Sequence, residues 1–192
     1  MTETTTLGPT PSQTAGPYLS IGLLRDFIGS SLVSEDDPRA IRIRGRLLDG
    51  NGDPVPDGMV EIWQANAAGR YAHPSDARED VPLEEGFLGF GRSGTADEGR
   101  FEFLTLKPGA VPAPDGRLQA PHLLVAVFAR GLLKHLVTRL YFPDEEEANA
   151  ADPVLSELSE AERATLVAQP EDGGLRFDIR LQGEGETTFF LV

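Results

Sequence analysis

The alternation of Ile41, Ile43 and Leu47 with three arginines has a period of two, which predicts a strand with one buried face. The segment 49–58 is rich in Gly, Asp and Pro and predicts a turn. We expect the apolar segment 59–65 to pair back across that turn as the second strand of a hairpin. The pattern therefore predicts β structure from about residue 41 onward.

Later segments with the composition of strands are each bounded by Gly, Pro or charged residues. They span residues 99–106, 122–129, 134–142, 176–183 and 186–192. With the hairpin they amount to seven or eight strands, which favours an all-β sandwich. One short helix is expected in the C-terminal half, at 152–170, where Ser159 and Glu162 have the spacing of a capping box.

The N-terminal residues 1–18 are rich in Thr and Pro and predict an extended arm, with a disordered tail as the alternative. The apolar residues that follow predict a short helix or an irregular segment. No internal repeat and no linker divides the remaining sequence. We therefore expect a single sandwich domain at 19–192 behind the arm.

Composition and charge argue against several classes of function. The chain has 31 acidic and 17 basic residues, so it lacks the excess of positive charge that binding to nucleic acid requires. Cysteine is absent, which excludes disulfides, zinc–thiolate sites and cysteine nucleophiles. No apolar stretch reaches the length of a membrane span and the start has no signal-peptide pattern, so we expect a cytoplasmic protein.

His122 opens an apolar strand and is the first candidate for chemistry. Residues i and i+2 of a strand point to the same face, so a metal site on this strand requires a second ligand at position 124, which is Leu124. The sequence contains no HExxH, GxSxG or P-loop motif. Trp63, the only tryptophan, lies in a strand pattern and is expected in the core.

Six segments together resemble the intradiol ring-cleaving dioxygenases, in order and over nearly the whole chain. They are TPSQTAGPY (10–18), VEIWQANAAGRY (60–71), KPG (107–109), APH (120–122), TRLYF (138–142) and RFDIRLQGEGETTFF (176–190). The resemblance implies a β-sandwich of the intradiol dioxygenase type. It also implies a ferric ion held by two tyrosinate oxygens and two histidine nitrogens, which activates a catecholate for attack by O₂.

Transferred onto this chain, the four ligand positions of that family fall on Tyr71, Val111, His122 and Leu124. Valine and leucine have no lone pair to donate, and two protein ligands are too few to retain iron. The family's catalytic chains also have an arginine where Gln119 stands. The resemblance therefore implies a vestigial metal site and no bound metal here, with Fe(III) in a partner beta subunit.

The resemblance implies a role for Arg130 at the partner's active site, where it binds the carboxylate of the substrate. A planar guanidinium suits this role because it binds a carboxylate with two hydrogen bonds and stays charged. Without the resemblance, Arg130 is an ordinary exposed arginine in a turn. The residues implied at the pocket entrance of the same interface are Thr14, Ala15, Gly16, Pro17 and Tyr18.

The implied function is that of an iron-free alpha-type subunit in a hetero-oligomeric intradiol dioxygenase. Such an enzyme opens 3,4-dihydroxybenzoate with O₂ to 3-carboxy-cis,cis-muconate, and its partners are an iron-bearing beta subunit, the aromatic diol and further subunit pairs. Two alternatives stay open at this point. The chain itself is an iron dioxygenase with unusual ligands, or it is a non-enzymatic β-sandwich that serves as a binding or scaffold module.

Overall fold

The computed structural model describes residue 13 and residues 16–24 and 29–191. Its strands are β1 (Ala40–Leu48), β2 (Met59–Trp63), β3 (Phe90–Gly94), β4 (Arg100–Leu106), β5 (Val111–Pro112), β6 (Leu118–Gln119), β7 (His122–Phe128), β8 (Leu136–Tyr141), β9 (Gln169–Glu171), β10 (Gly174–Arg176) and β11 (Ile179–Arg180). The helices are α1 (Glu146–Ala151), α2 (Glu160–Ala164), 3₁₀ turns at Asp97–Gly99 and Leu155–Glu157, and a π-helical turn at Leu19–Leu23.

Two sheets face each other, as the sequence predicts. In the first, β1 pairs antiparallel with β4 along one edge and parallel with β10 and β11 along the other, and β9 pairs with β10. The second sheet is antiparallel, in the order β3-β2-β7-β8. A small hairpin of β5 and β6 lies outside both sheets.

The core lies between the two sheets and follows the alternation seen in the sequence. Ile43 and Leu47 of β1 are buried, and the arginines between and beside them point outward. Val60 and Val125 contribute to the same apolar cluster from the second sheet. Burial of these side chains supplies the main stabilisation, at roughly 25 cal/mol per Å² of apolar surface.

The hairpin predicted across residues 49–58 is wrong. The turn closes locally, with the N–H of Val55 donating to the O of Leu47 at 2.9 Å, but β2 then joins the other sheet. The reason is that Ile62 faces the core from the side opposite Ile43, so the chain crosses the sandwich instead of returning along β1. Alternation predicts a strand and its buried face and does not say which strand becomes its neighbour.

The C-terminal half departs from prediction in two further places. The single helix expected at 152–170 is divided into the 3₁₀ turn and α2, and its predicted capping box between Ser159 and Glu162 is present. The strand expected at 186–192 is reduced to one bridge, in which the N–H of Phe190 donates to the O of Val137 at 2.7 Å. Helix α1 begins within the acidic residues 144–147.

The predicted N-terminal arm falls mostly outside the described residues. Gly16 and Pro17 form a turn, and Tyr18 precedes the π-helical turn. The division into an arm and a domain stays a prediction. Among the helices that the structure describes, none is long and apolar enough to cross a membrane.

Candidate functional site

The outer face of the second sheet carries the strand positions where metal ligands are implied. His122 and Leu124 lie on this face of β7, and Leu123 between them points into the core. In the strand register, Trp63 of β2 and Arg139 of β8 are the partners of Leu124 on its two sides. An aromatic and a cationic side chain therefore flank the position of the second expected histidine.

Tyr71 reaches this face from the loop after β2. The side-chain Oδ1 of Asn66 accepts the N–H groups of Ala68 and Arg70 at 3.0 and 2.9 Å, which folds the loop into a tight turn. The Tyr71 ring then stacks on Trp63, with 5.8 Å between ring centroids and 11° between planes. Trp63, predicted in the core, is instead half-buried on the outer face and supports Tyr71.

A cavity of about 710 Å³ opens beside this stack. Its lining residues are Trp63, Tyr71, His73, Ser75, Asp76, Ala77, Arg78, Val111 and Pro112. Val111 is buried and is held there by the pairing of β5 with β6, where it lies opposite Gln119. The structure thus brings the four expected ligand positions to one side of the second sheet, with Tyr71 and Val111 in the cavity wall.

Asp76 and Arg78 form an ion pair in the cavity wall. The Asp76 carboxylate accepts the Nε–H of Arg78 at 2.8 Å and the backbone N–H of Tyr71 at 2.9 Å. The Arg78 hydrogen bonds are the main reason that the pKa of Asp76 lies well below its usual range. The two charges compensate each other, so this pair adds no net charge to the cavity wall.

The residues present do not fit a ferric ion. Val111 and Leu124 are aliphatic, so two of the four expected positions offer no donor atom. Burial raises the pKa of the Tyr71 phenol, which stays protonated at neutral pH. Within the described ranges, no group of three or more His, Cys, Asp or Glu side chains is placed to hold a metal ion.

His122 is satisfied without a metal. Its side chain is 5% exposed, and its Nδ1–H donates to the O of Ala120 at 2.7 Å, since a carbonyl only accepts. Burial lowers the pKa of His122 to about 4, and the positive charge of Arg139 contributes in the same direction. The imidazole is therefore neutral at physiological pH and is a buried, hydrogen-bonded side chain on the outer face of the sheet.

Arg139 organises a polar network that the sequence analysis missed. Its Nη1–H donates to the Oε1 of Gln119 at 2.7 Å and to the hydroxyl oxygen of Tyr141 at 3.2 Å. The Tyr141 hydroxyl donates to Asp152, which is fully buried and also accepts the N–H of Ala120 at 2.8 Å. The alternation in β8 already places Arg139 and Tyr141 on one face, and this was the available signal.

Arg130 lies two residues after the end of β7, in a turn closed by a hydrogen bond from the Leu132 N–H to the Ala129 O at 3.3 Å. The next residue, Gly131, has a φ of 81°, which a side chain would strain. The Arg130 side chain is 73% exposed. The structure therefore places Arg130 at an exposed position in a turn, and its role stays a prediction.

The predicted entrance segment is described only in part. Thr14 and Ala15 lie outside the described residues, and Tyr18 is 69% exposed. The turn that follows is attached to β3 by a hydrogen bond from Arg92 Nη1 to the O of Leu23 at 2.9 Å. The turn is thus attached to the second sheet, the sheet that also contains β7, the strand before Arg130.

Comparison with known proteins places these features in a family. A family model described as dioxygenase matches residues 30–183. The protocatechuate 3,4-dioxygenase alpha chain of Pseudomonas putida is 44% identical, with 96% of each chain covered. The protocatechuate 3,4-dioxygenase beta chain of Burkholderia cepacia is 39% identical, over 87% of this chain and 75% of the relative.

A solved structure agrees with the sequence relatives. It is the dioxygenase domain of a fusion with a carbohydrate-binding protein from Streptomyces sp. SirexAA-E, which superposes with a TM-score of 0.59 at 26% identity and covers 92% of this chain and 99% of its own. The matching sandwich, the family model and the near full-length relatives lead to one conclusion. This chain belongs to the intradiol dioxygenase family, with protocatechuate 3,4-dioxygenase alpha chains among its relatives.

Proposed function

We propose that this chain is the iron-free alpha subunit of a protocatechuate 3,4-dioxygenase and that an iron-bearing beta subunit completes the enzyme. The assembled enzyme cleaves 3,4-dihydroxybenzoate between its two hydroxyl groups. Both atoms of O₂ enter the product, 3-carboxy-cis,cis-muconate. This chain supplies pocket walls, a cationic contact for the substrate and the surface for assembly.

The proposal rests mainly on two facts together: the chain is closely similar to an alpha chain, and it lacks two of the four expected iron ligands. The chain is 44% identical to an alpha chain over 96% of its length, yet Val111 and Leu124 occupy two of the four ligand positions. Intradiol dioxygenases depend on iron in general, so a second chain has to provide it. The beta-chain relative supports a beta subunit as that second chain.

The test is to express this chain alone and together with its beta subunit, and to measure iron content and ring cleavage in both. We expect neither iron in stoichiometric amount nor cleavage for the chain alone, and both for the complex. Val111→Tyr with Leu124→His should restore some iron binding but little activity, because Gln119 and the surrounding hydrogen bonds remain unchanged. Stoichiometric iron in the unmodified lone chain contradicts the proposal, and failure to form any complex favours a scaffold module.

We further propose that Arg130 reaches the beta subunit's site and binds the substrate carboxylate. Its exposure and its place in the seven-residue connection between β7 and β8 support this, because both leave the guanidinium accessible to another chain. Thr14 to Tyr18 line the entrance to the same pocket in this proposal. The planar, charged guanidinium can donate two parallel hydrogen bonds to the carboxylate of the substrate.

Arg130→Ala in the assembled enzyme removes a charge-assisted hydrogen bond worth about 1.5–3 kcal/mol. At about 1.4 kcal/mol per tenfold change, binding of 3,4-dihydroxybenzoate should weaken about tenfold to a hundredfold. Iron content should not change. Catechol has no carboxylate, so its turnover serves as the control, and equal losses on both substrates would mean that Arg130 is a structural residue.

The higher-order assembly of subunit pairs and the cytoplasmic location stay predictions. The acidic composition still argues against nucleic acid as a partner. Sedimentation of the co-expressed complex measures the number of subunit pairs directly.

A further inference from the structure

Asp57 is the acidic residue that contacts Arg130. Its Oδ1 lies 3.3 Å from the Nε of Arg130, and this ion pair joins the turn before β2 to the loop after β7. The two side chains are 45% and 73% exposed, so the pair lies at the surface of the isolated chain. Any carboxylate that binds Arg130 therefore has to do so with Asp57 already beside it.

The backbone that carries Asp57 is held firmly. The N–H of the next residue, Gly58, donates to the Oγ1 of Thr95 at 2.7 Å, and its carbonyl accepts the N–H of Thr95 at 2.9 Å. Gly58 is buried, and a Cβ there would lie 2.6 Å from a methyl carbon of Leu47. Asp57 is thus attached to a rigid part of the sandwich, with its side chain at the surface.

The loop that carries Arg130 has fewer constraints. Its ends are held by the stacked rings of Phe128 and His135, whose centroids are 5.3 Å apart. Between them lies the turn at Gly131, which has open space around it, and Leu133 is 85% exposed. Among the described residues, the ion pair with Asp57 is the polar contact of the long Arg130 side chain.

The geometry of the ion pair leaves the guanidinium able to bind a second carboxylate. Asp57 approaches most closely at Nε, the nitrogen nearest the aliphatic stem. The described residues offer the two terminal nitrogens of Arg130 no hydrogen bond. Those two nitrogens are the ones that bind a carboxylate in the fork arrangement.

We propose that Asp57 is a positioning residue for substrate binding. It holds Arg130 from the Nε side, and the terminal nitrogens then meet the carboxylate of the aromatic substrate in the beta subunit's site. This inference rests on the proposed function of Arg130. A side chain that is already oriented loses less conformational entropy when it binds a ligand. Asp57 contributes to substrate binding by reducing this entropy loss for Arg130.

Kinetics of the complex with its beta subunit test the proposal through Asp57→Asn, which keeps the shape of the side chain and removes its charge. An exposed ion pair contributes up to about 1 kcal/mol, so KM for 3,4-dihydroxybenzoate should rise about two- to fivefold. The kcat for this substrate should not change, and neither should KM for catechol. Asp57→Glu, which keeps the charge, should recover part of the loss.

A double-mutant cycle and a matched control separate positioning from general damage. In the Arg130→Ala background, Asp57→Asn should have no further effect, because its effect acts through Arg130. Asp115→Asn removes another exposed ion pair with an arginine, Arg117, in the turn between β5 and β6, and should leave both substrates unaffected.

The outcomes distinguish this inference from the function on which it rests. If Arg130→Ala weakens substrate binding and Asp57→Asn does not, the positioning role is wrong and the proposed function stands. If Arg130→Ala has no effect on 3,4-dihydroxybenzoate, the carboxylate contact itself is wrong. A lower KM in Asp57→Asn means that Asp57 competes with the substrate, and equal changes with catechol mean a structural role. Either result overturns the inference.

Discussion

The buried imidazole of His122 makes the stability of this chain depend on pH, and His122→Asn tests that dependence. The Nδ2 of asparagine occupies nearly the place of the histidine Nδ1, so the variant keeps the donor for the Ala120 carbonyl and loses the titrating ring. In the native chain the ring is 5% exposed and cannot accept a proton without a large loss of solvation.

The sign and the magnitude follow from the two pKa values. His122 has a pKa of about 4 in the folded chain, against 6.5 for an ordinary histidine. Below pH 6.5 this histidine is therefore protonated in the unfolded chain but still neutral in the folded chain. The free energy of unfolding falls as the pH falls. At about 1.36 kcal/mol per pKa unit, this group costs the folded state about 3 kcal/mol by pH 4.

The assay is denaturant unfolding of the chain and of His122→Asn at pH values from about 7.5 to about 4, in steps of about half a unit to resolve the slope. Carboxylates titrate in the same range in both proteins, so the difference between the two curves isolates His122. Relative to the variant, the native chain should lose about 3 kcal/mol between pH 6.5 and 4. A difference curve that stays flat over this window would refute the argument from burial.

Three further predictions concern packing, the polar network and assembly. Gly45→Ala places a methyl carbon 1.9 Å from the carbonyl oxygen of Phe177, so the free energy of unfolding should fall by about 3 kcal/mol or more, while Gly22→Ala, in open space, should change it little. Asp152→Ala leaves three backbone N–H groups without their acceptor and should cost about 3 kcal/mol or more in thermal unfolding, with a smaller loss for Asp152→Asn, which keeps one acceptor oxygen. Co-expression with the beta subunit should raise the soluble yield, because apolar side chains such as Leu133 are exposed in the isolated chain; an unchanged yield and a monodisperse monomer contradict this.

Much of the fold was predictable because alternation is a local property. The buried face of β1 and the strand character of β7 follow directly from the order of apolar and polar residues. The pairing of strands was less predictable, as β2 and the bridge at Phe190 show. Which strand becomes a neighbour depends on how two faces fill one core, and such contacts join residues far apart in the chain.

For the candidate site too, one part was predictable from the sequence and another part required the tertiary structure. Two of the four ligand positions that the resemblance implies could be excluded from the sequence, because Val111 and Leu124 have no donor atom in any fold. The polar network around Arg139 could be found only from the tertiary structure, which sets the register of β7 with β8. The pairing of Asp57 with Arg130 likewise required the tertiary structure, because 73 positions of chain separate two residues that only the packing of two loops brings within 3.3 Å.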